Sequence, residues 1–317
     1  MAATDRAATA YAALTEGCGL LDRSERGKLA LAGPEAKEFL TGQVTNDILG
    51  LEPGRGCQAA LLTHKGKMLA DVRVLDAGDE LLLDTDRIGL QELFNRVHRG
   101  LIGFDARLDK RTLQRGLLSL IGPRARAVAE ADAAGLGTAE HDSAAATLQG
   151  VPVRLITTDA GVDVLCPAQD TATVAAGLEA RGATAVSEAD ADIVRVERGS
   201  PRYGIDLDDS VIPQEAGLNE RAVSFTKGCY VGQETVARLH YKGKPNRHLR
   251  GLRLSAPVPA GAALRLGERE VGTLTSSVVS PALGPIGLAL VRREAEPGAT
   301  VLAGDGGVRA EVVALPF

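Results

Sequence analysis

The sequence predicts an α+β protein that ends in a small antiparallel β-barrel. Three observations predict it. Up to residue 245, strand-patterned segments joined by turns alternate with helix-patterned ones. Beyond Gly243-Lys244-Pro245-Asn246 the helical pattern stops, and short apolar strands recur between Gly and Pro. The composition is that of a globular chain, with 44% hydrophobic and 24% charged residues in 317. The expected domains are residues 1–245, carrying the α+β part, and 246–317, carrying the barrel.

The elements follow in order. A polar turn, Asp22-Arg23-Ser24-Glu25-Arg26-Gly27, leads into a strand from Lys28 to Ala32. After the break at Gly33-Pro34, Ala36, Phe39 and Leu40 stand at helical spacing, and Pro34 suits the first turn. Cys57–Leu62 and Met68–Leu75 read as a hairpin across Thr63-His64-Lys65-Gly66-Lys67. Glu80–Leu83 reads as a strand. Gln91–Arg99 reads as a helix, with Leu93, Val97 and Leu101 on one face. Val151–Ile156 and Val162–Leu165 form a second strand pair. Thr171–Arg181 is an Ala-rich helix stopped by Gly182. Asp192–Glu197 reads as a strand. Six short strands follow: Leu249–Leu254, Ala263–Leu266, Glu270–Ser276, Ile286–Val291, Thr300–Leu302 and Arg309–Val313.

Composition excludes several functional classes. No Trp and few Phe or Tyr argue against a stacking nucleic-acid binder. A net charge of -5 argues against coating nucleic acid or an anionic membrane. No apolar run is long enough to span a bilayer, and no secretion signal is visible, so the expected location is cytoplasmic. Cys18, Cys57, Cys166 and Cys229 are scattered, without metal-ligand spacing, so no metal site is expected.

The densest chemical signal is Lys227-Gly228-Cys229-Tyr230-Val231-Gly232-Gln233-Glu234. A cation two residues before a thiol favours the reactive thiolate. The flanking glycines permit close approach of a ligand or strand. The same pattern fits a buried, inert cysteine in a glycine-rich turn. From Thr235 to Gly267 the chain holds no Asp or Glu, whereas Arg238, Lys242, Lys244, Arg247, Arg250, Arg253 and Arg265 fall there. This is a local positive field, read either as a solvated surface or as an anion site.

The Lys227–Glu234 stretch resembles the K-G-C-Y-x-G-Q-E signature of the YgfZ-like folate-binding proteins. These are relatives of the glycine-cleavage aminomethyltransferase, the T-protein. Arg195-Val196-Glu197-Arg198-Gly199-Ser200-Pro201-Arg202-Tyr203-Gly204-Ile205-Asp206 and Ile212-Pro213-Gln214-Glu215 resemble further segments of that family. Gly19-Leu20-Leu21-Asp22-Arg23-Ser24, Thr45-Asn46-Asp47, Gly272-Thr273-Leu274-Thr275-Ser276 and Gly287-Leu288-Ala289-Leu290-Val291 are similar to superfamily segments at both ends of the chain.

The resemblance implies a three-part, T-protein-like architecture, in which two α+β subdomains and a C-terminal barrel surround tetrahydrofolate or another reduced folate. It implies an accessory protein serving iron–sulfur client enzymes or assembly factors, with Cys229 as the functional thiol and Lys227 as its activator. The alternative is a folate-dependent aminomethyltransferase. Glu197 matches the pterin-binding glutamate, where one carboxylate accepts from two adjacent donors. Tyr203 is expected at the pterin wall. Asp71 aligns with the T-protein acid near folate N5 and N10, though Ala70 stands where the T-protein has a second acid. Apart from the resemblance, Asp71 also fits an i,i+2 pair with Arg73. Arg238 and Arg247 are expected to meet the glutamate tail of the folate.

Overall fold

The computed structural model describes residues 3–317, with side chains from residue 7 onward. The chain forms two compact units. One comprises Met1–Leu62, Leu69–Ala191 and Arg221–Val231. The other comprises Thr63–Met68, Asp192–Glu220 and Gly232–Phe317.

The elements up to the middle of the chain are α1 (Ala3–Thr15), β1 (Gly19–Asp22), β2 (Gly27–Ala32), α2 (Ala36–Gln43), β3 (Gly56–Leu62), β4 (Met68–Asp76), β5 (Leu81–Thr85), α3 (Leu90–Gly100), β6 (Arg107–Lys110), β7 (Arg115–Ile121) and α4 (Ala125–Val128). Next come β8 (Ser143–Leu148), β9 (Val151–Thr158), β10 (Gly161–Pro167), α5 (Thr171–Ala180), β11 (Thr184–Ala185), α6 (Glu188–Glu197), α7 (Asn219–Ala222) and α8 (Gln233–Lys242). The last strands are β12 (Arg247–Leu254), β13 (Ala263–Leu266), β14 (Arg269–Ser280), β15 (Gly284–Arg292), β16 (Thr300–Ala303) and β17 (Val308–Val313).

The first unit holds two sheets. One runs β3-β4-β5-β2-β6; the other runs β11-β1-β7-β10-β9-β8. Each has its own aliphatic core. Leu29, Leu31, Val72, Val74, Leu81 and Leu83 pack under Phe39 and Leu40 of α2 and Leu93 and Val97 of α3. Leu118, Leu120, Val153, Leu155, Val162 and Val164 pack under Val174 and Leu178 of α5. The apolar residues at i, i+3 and i+4 on α2 therefore do cover a sheet, as the spacing implies.

Charge interrupts these apolar strands at a few places. Arg73 on β4 binds Asp84 of β5 at 2.5 Å and Asp163 of β10 at 2.6 Å. One guanidinium thus ties the two sheets together. Arg26 also binds Asp84 at 2.9 Å and Asp86 at 3.0 Å, and Ser119 donates to the other oxygen of Asp163. Burial alone would raise the Asp84 carboxyl; Arg73 and Arg26 overcome it and hold it down at about 2.

The second unit contains a closed antiparallel barrel in the order β12-β15-β14-β13-β16-β17. Its core is Leu252, Leu264, Leu274, Ala289, Val301 and Val312. The α+β class and the barrel agree with the sequence reading. Asp206, with its side chain fully buried, accepts from Arg195, Thr275 and Ser276. The Arg and Asp of the Arg195–Asp206 motif are thereby structural.

One expected strand is corrected. Residues 192–197 belong to helix α6. Ser187 and Asp190 bond reciprocally, side chain to backbone N–H, as a capping box that starts this helix. Asp192 and Arg195 then pair at i,i+3 along it. A capping signal thus outweighs a short β-branched apolar stretch, Ile193, Val194 and Val196.

Replacing the shared cation by a hydrocarbon tests the bridge. Arg73→Met leaves Asp84 and Asp163 buried with less compensation, and a loss on the order of 3–5 kcal/mol is expected in urea unfolding. A loss under ~1 kcal/mol would show that the bridge is incidental.

Candidate functional site

The strand charges frame a polar cavity of about 190 Å³ in the first unit, lined by Arg26, Gln58, Asp71, Arg73, Asp84, Ser119, Glu140, His141, Asp163 and Arg221 among others. Strand alternation puts Asp71 here: along β4 the apolar Ala70, Val72 and Val74 are buried, whereas Asp71 and Arg73 face the other way.

Three side-chain atoms around this cavity are buried without a hydrogen-bond partner: Asp71 Oδ1, Gln58 Oε1 and His141 Nδ1. Such atoms are rare in folded proteins and call for a ligand or water. Burial pushes the Asp71 carboxyl up to about 6. Arg26 offsets part of the rise, and Asp86 and Asp84 add to it. Asp71 is therefore a proton-exchanging group near neutrality. The i,i+2 pair with Arg73 is not formed, because Arg73 is taken by Asp84 and Asp163. At about 190 Å³ the cavity falls below the ~300–1,000 Å³ of drug-sized ligand pockets, so it has room for only part of such a ligand.

Glu197 lies at the end of α6 in the second unit, half-buried, and accepts a hydrogen bond from Ser280 Oγ. Tyr203 is buried in the same unit and bridges Leu207 through its backbone. Arg238 is exposed on α8. Arg247 binds both oxygens of Glu215 and the carbonyl of Ser210. That pairing supplies the partner of the buried Glu215 and takes Arg247 out of the expected tail site.

The Lys-Gly-Cys-Tyr segment is built differently from the expectation. Cys229 is exposed, whereas Cys18 and Cys166 are buried. The Lys227 ammonium donates to the carbonyls of Thr41 and Val44 and sits 4.7 Å from the Tyr230 ring centre. Burial lowers Lys227 to about 8, with Asp47 and Cys57 opposing. Its service is to the α2 C-terminus, so the expected activation of Cys229 is corrected. Of the motif glycines, Gly232 is left-handed, with φ +86 at the start of α8, while a Cβ on Gly228 would meet nothing within 4 Å.

Sequence reading missed Arg73, Asp84 and Asp163. The available signal was a lone charge inside an apolar strand, as in Val72-Arg73-Val74 and Val162-Asp163-Val164. His141 carries no comparable signal. No group of three or more His, Cys, Asp or Glu side chains suited to a metal occurs among the described residues. No helix among them is long and apolar enough to cross a membrane.

Fold and cavity define an α+β protein with a polar cavity in its first unit and a closed antiparallel barrel in its second. The GCVT N-terminal domain matches residues 2–227, and the glycine cleavage T-protein C-terminal barrel domain matches residues 247–317. The chain belongs to the glycine-cleavage T-protein family. It is 28% identical over 308 residues to an aminomethyltransferase of Rubrobacter xylanophilus, covering 94% of this chain and 82% of that protein. It is 28% identical over 334 residues to an aminomethyltransferase of Halothermothrix orenii, covering 97% and 90%. The crystal structure of glycine cleavage system aminomethyltransferase T from Bartonella henselae matches with a TM-score of 0.87 at 25% identity, covering 98% of this chain and 89% of that one.

The thiols give a direct check. Burial raises Cys18 to about 11 and Cys57 to about 12, and it raises Cys166 as well. In the folded protein Cys229 should therefore alkylate first with iodoacetamide. Lys227→Ala should leave that rate unchanged within about twofold. A marked slowing would restore Lys227 as activator.

Proposed function

We propose that this protein binds a reduced folate and serves one-carbon transfer of the aminomethyltransferase type, with Asp71 as the acid–base group. The observation that carries this reading is the Asp71 carboxyl, which lines a polar cavity, has one buried oxygen without a partner, and titrates near 6. The family and the named aminomethyltransferase relatives support it over the iron–sulfur reading. A reduced folate, when bound, supplies the ring nitrogens that carry a one-carbon unit.

The chain's own residues supply the rest. Asp71 accepts a proton from an N–H at neutral pH and returns it when protonated. Arg26 keeps its pKa from rising further. Gln58 offers a second acceptor, its amide oxygen, to an N–H donor. The Arg73 bridge holds β4 so that the carboxyl cannot drift. Ala70 departs from the paired acids of the T-protein, so one carboxyl does the proton handling here. Glu197, Tyr203 and Arg238, in the second unit, stay expectations of the resemblance and are not among the residues that line the Asp71 cavity.

A second reading rests on exposed Cys229 within the K-G-C-Y-x-G-Q-E signature. There the folate-bound protein assists iron–sulfur client enzymes through that thiol. Cys229→Ser would then keep folate binding while iron–sulfur enzyme activity falls in cells. Full activity in those cells would remove this reading.

The primary reading has its own test. The folded-state pKa of Asp71 is raised above the ordinary carboxylate value, so the carboxylate is lost as pH falls through about 6. Tetrahydrofolate should bind wild type less tightly at pH 5.5 than at pH 7.5. Asp71→Asn should bind about tenfold more weakly at pH 7.5 and lose most of the pH dependence, as expected for a lost charge-assisted hydrogen bond. Equal dissociation constants for the two proteins would take Asp71 out of the site.

A further inference from the structure

The Asp71 cavity has a second feature that the folate reading does not use. His141 stands in the loop before β8 with φ +70, in the left-handed region that non-glycine residues seldom adopt. Strain of this kind persists only where neighbouring contacts enforce it, and it concentrates at functional sites. Those contacts are present. The His141 backbone N–H donates to Thr157 O at 2.8 Å, and Thr157 N–H donates to Asp142 O at 2.8 Å. Asp142 also accepts from the Ala139 N–H and from Arg55. The loop is thus pinned on both sides of a strained residue.

The imidazole lines the cavity with Asp71 and Gln58, its side chain 14% exposed. Glu140 lies 3.6 Å from Nε2, while Nδ1 is buried without a partner. In the tautomer with hydrogen on Nε2, toward that carboxylate, the ring presents Nδ1 as an acceptor. Protonation is opposed by burial first and then by Arg73 and Arg221, with Asp84 and Asp163 acting the other way, so the ring is held down at about 4 and stays neutral at ordinary pH. A neutral ring with one unpaired acceptor nitrogen is matched by a ligand N–H or O–H.

We propose that His141 is a ligand-contacting residue of the Asp71 cavity, offering its neutral Nδ1 to an N–H or O–H donor of the bound reduced folate. The proposal rests on the folate reading of the same cavity. It makes three acceptors around one cavity, Asp71, Gln58 and His141, so the end of the ligand that enters must be rich in donors. It also explains why a strained histidine is kept at a position where glycine would relax the backbone.

Long-range proton–nitrogen NMR on the wild-type protein reads the ring directly. The His141 signals are identified as those absent from His141→Gly. Saturation with tetrahydrofolate, kept reduced, should shift the His141 Nδ1 resonance toward the hydrogen-bonded range, while ring protonation stays absent. His141→Gly, whose backbone accepts φ +70 freely, should bind tetrahydrofolate about tenfold more weakly without a lower melting temperature. An unmoved Nδ1 resonance in saturated wild type, or an equal dissociation constant for His141→Gly, overturns the proposal and leaves the folate reading standing. Wild type that fails to bind tetrahydrofolate overturns both. Should His141→Gly fold poorly, His141→Asn, which also tolerates positive φ, supplies the assignment and the binding comparison.

Discussion

The first unit depends on one buried cation. Arg73 rises from β4 and reaches carboxylates on two different sheets, Asp84 and Asp163, with all three side chains only about a tenth exposed. Removing such charges from water costs several kcal/mol per ion, and the attraction between them compensates only when geometry is close. Here it is close, and each carboxylate has additional donors in Arg26 or Ser119. The polar cavity borders this network, with Arg73, Asp84, Ser119 and Asp163 among its lining residues.

Within that space the remaining polar groups are incompletely satisfied. Asp71 Oδ1, Gln58 Oε1 and His141 Nδ1 have no partner, and His141 holds a backbone conformation that costs on the order of 1–3 kcal/mol. A chain under selection for stability alone would remove such defects. Their clustering around one cavity supports the proposed ligand site. In the Arg195–Asp206 network, by contrast, the carboxylate accepts from Arg195, Thr275 and Ser276, and both of its oxygens are used.

Legibility in the sequence followed the range of the interaction. The barrel strands, the Cys57–Leu75 hairpin and the α5 stop at Gly182 were readable because alternation, turn residues and caps act over a few residues. Helix α6 was misread because the three apolar residues Ile193, Val194 and Val196 span too few positions to fix a period, although Ser187 and Asp190 upstream carried the capping signal. Asp71 was readable through its resemblance to a T-protein stretch. Arg73 and Asp163 stand 90 positions apart in the chain, and no local pattern states that they meet. His141 is less legible still, because its importance lies in a backbone angle and an absent partner.

The Lys-Gly-Cys-Tyr segment shows why adjacency in sequence is a poor guide to electrostatic partnership. Only Gly228 separates Lys227 from Cys229, yet the ammonium is spent on the carbonyls of Thr41 and Val44, which helix α2 leaves without intrahelical donors. Once buried there, the cation is desolvated and falls to about 8. The nearby thiol on which it acts is Cys57, whose burial it only partly offsets. Cys229 meanwhile is left on the surface, with an open glycine before it and a buried tyrosine after it. The motif therefore has two separable parts. Lys227 and Tyr230 anchor the segment by backbone and cation–π contacts, and that anchoring is what presents Cys229 to solvent. Its own lysine is already committed to the carbonyls of Thr41 and Val44.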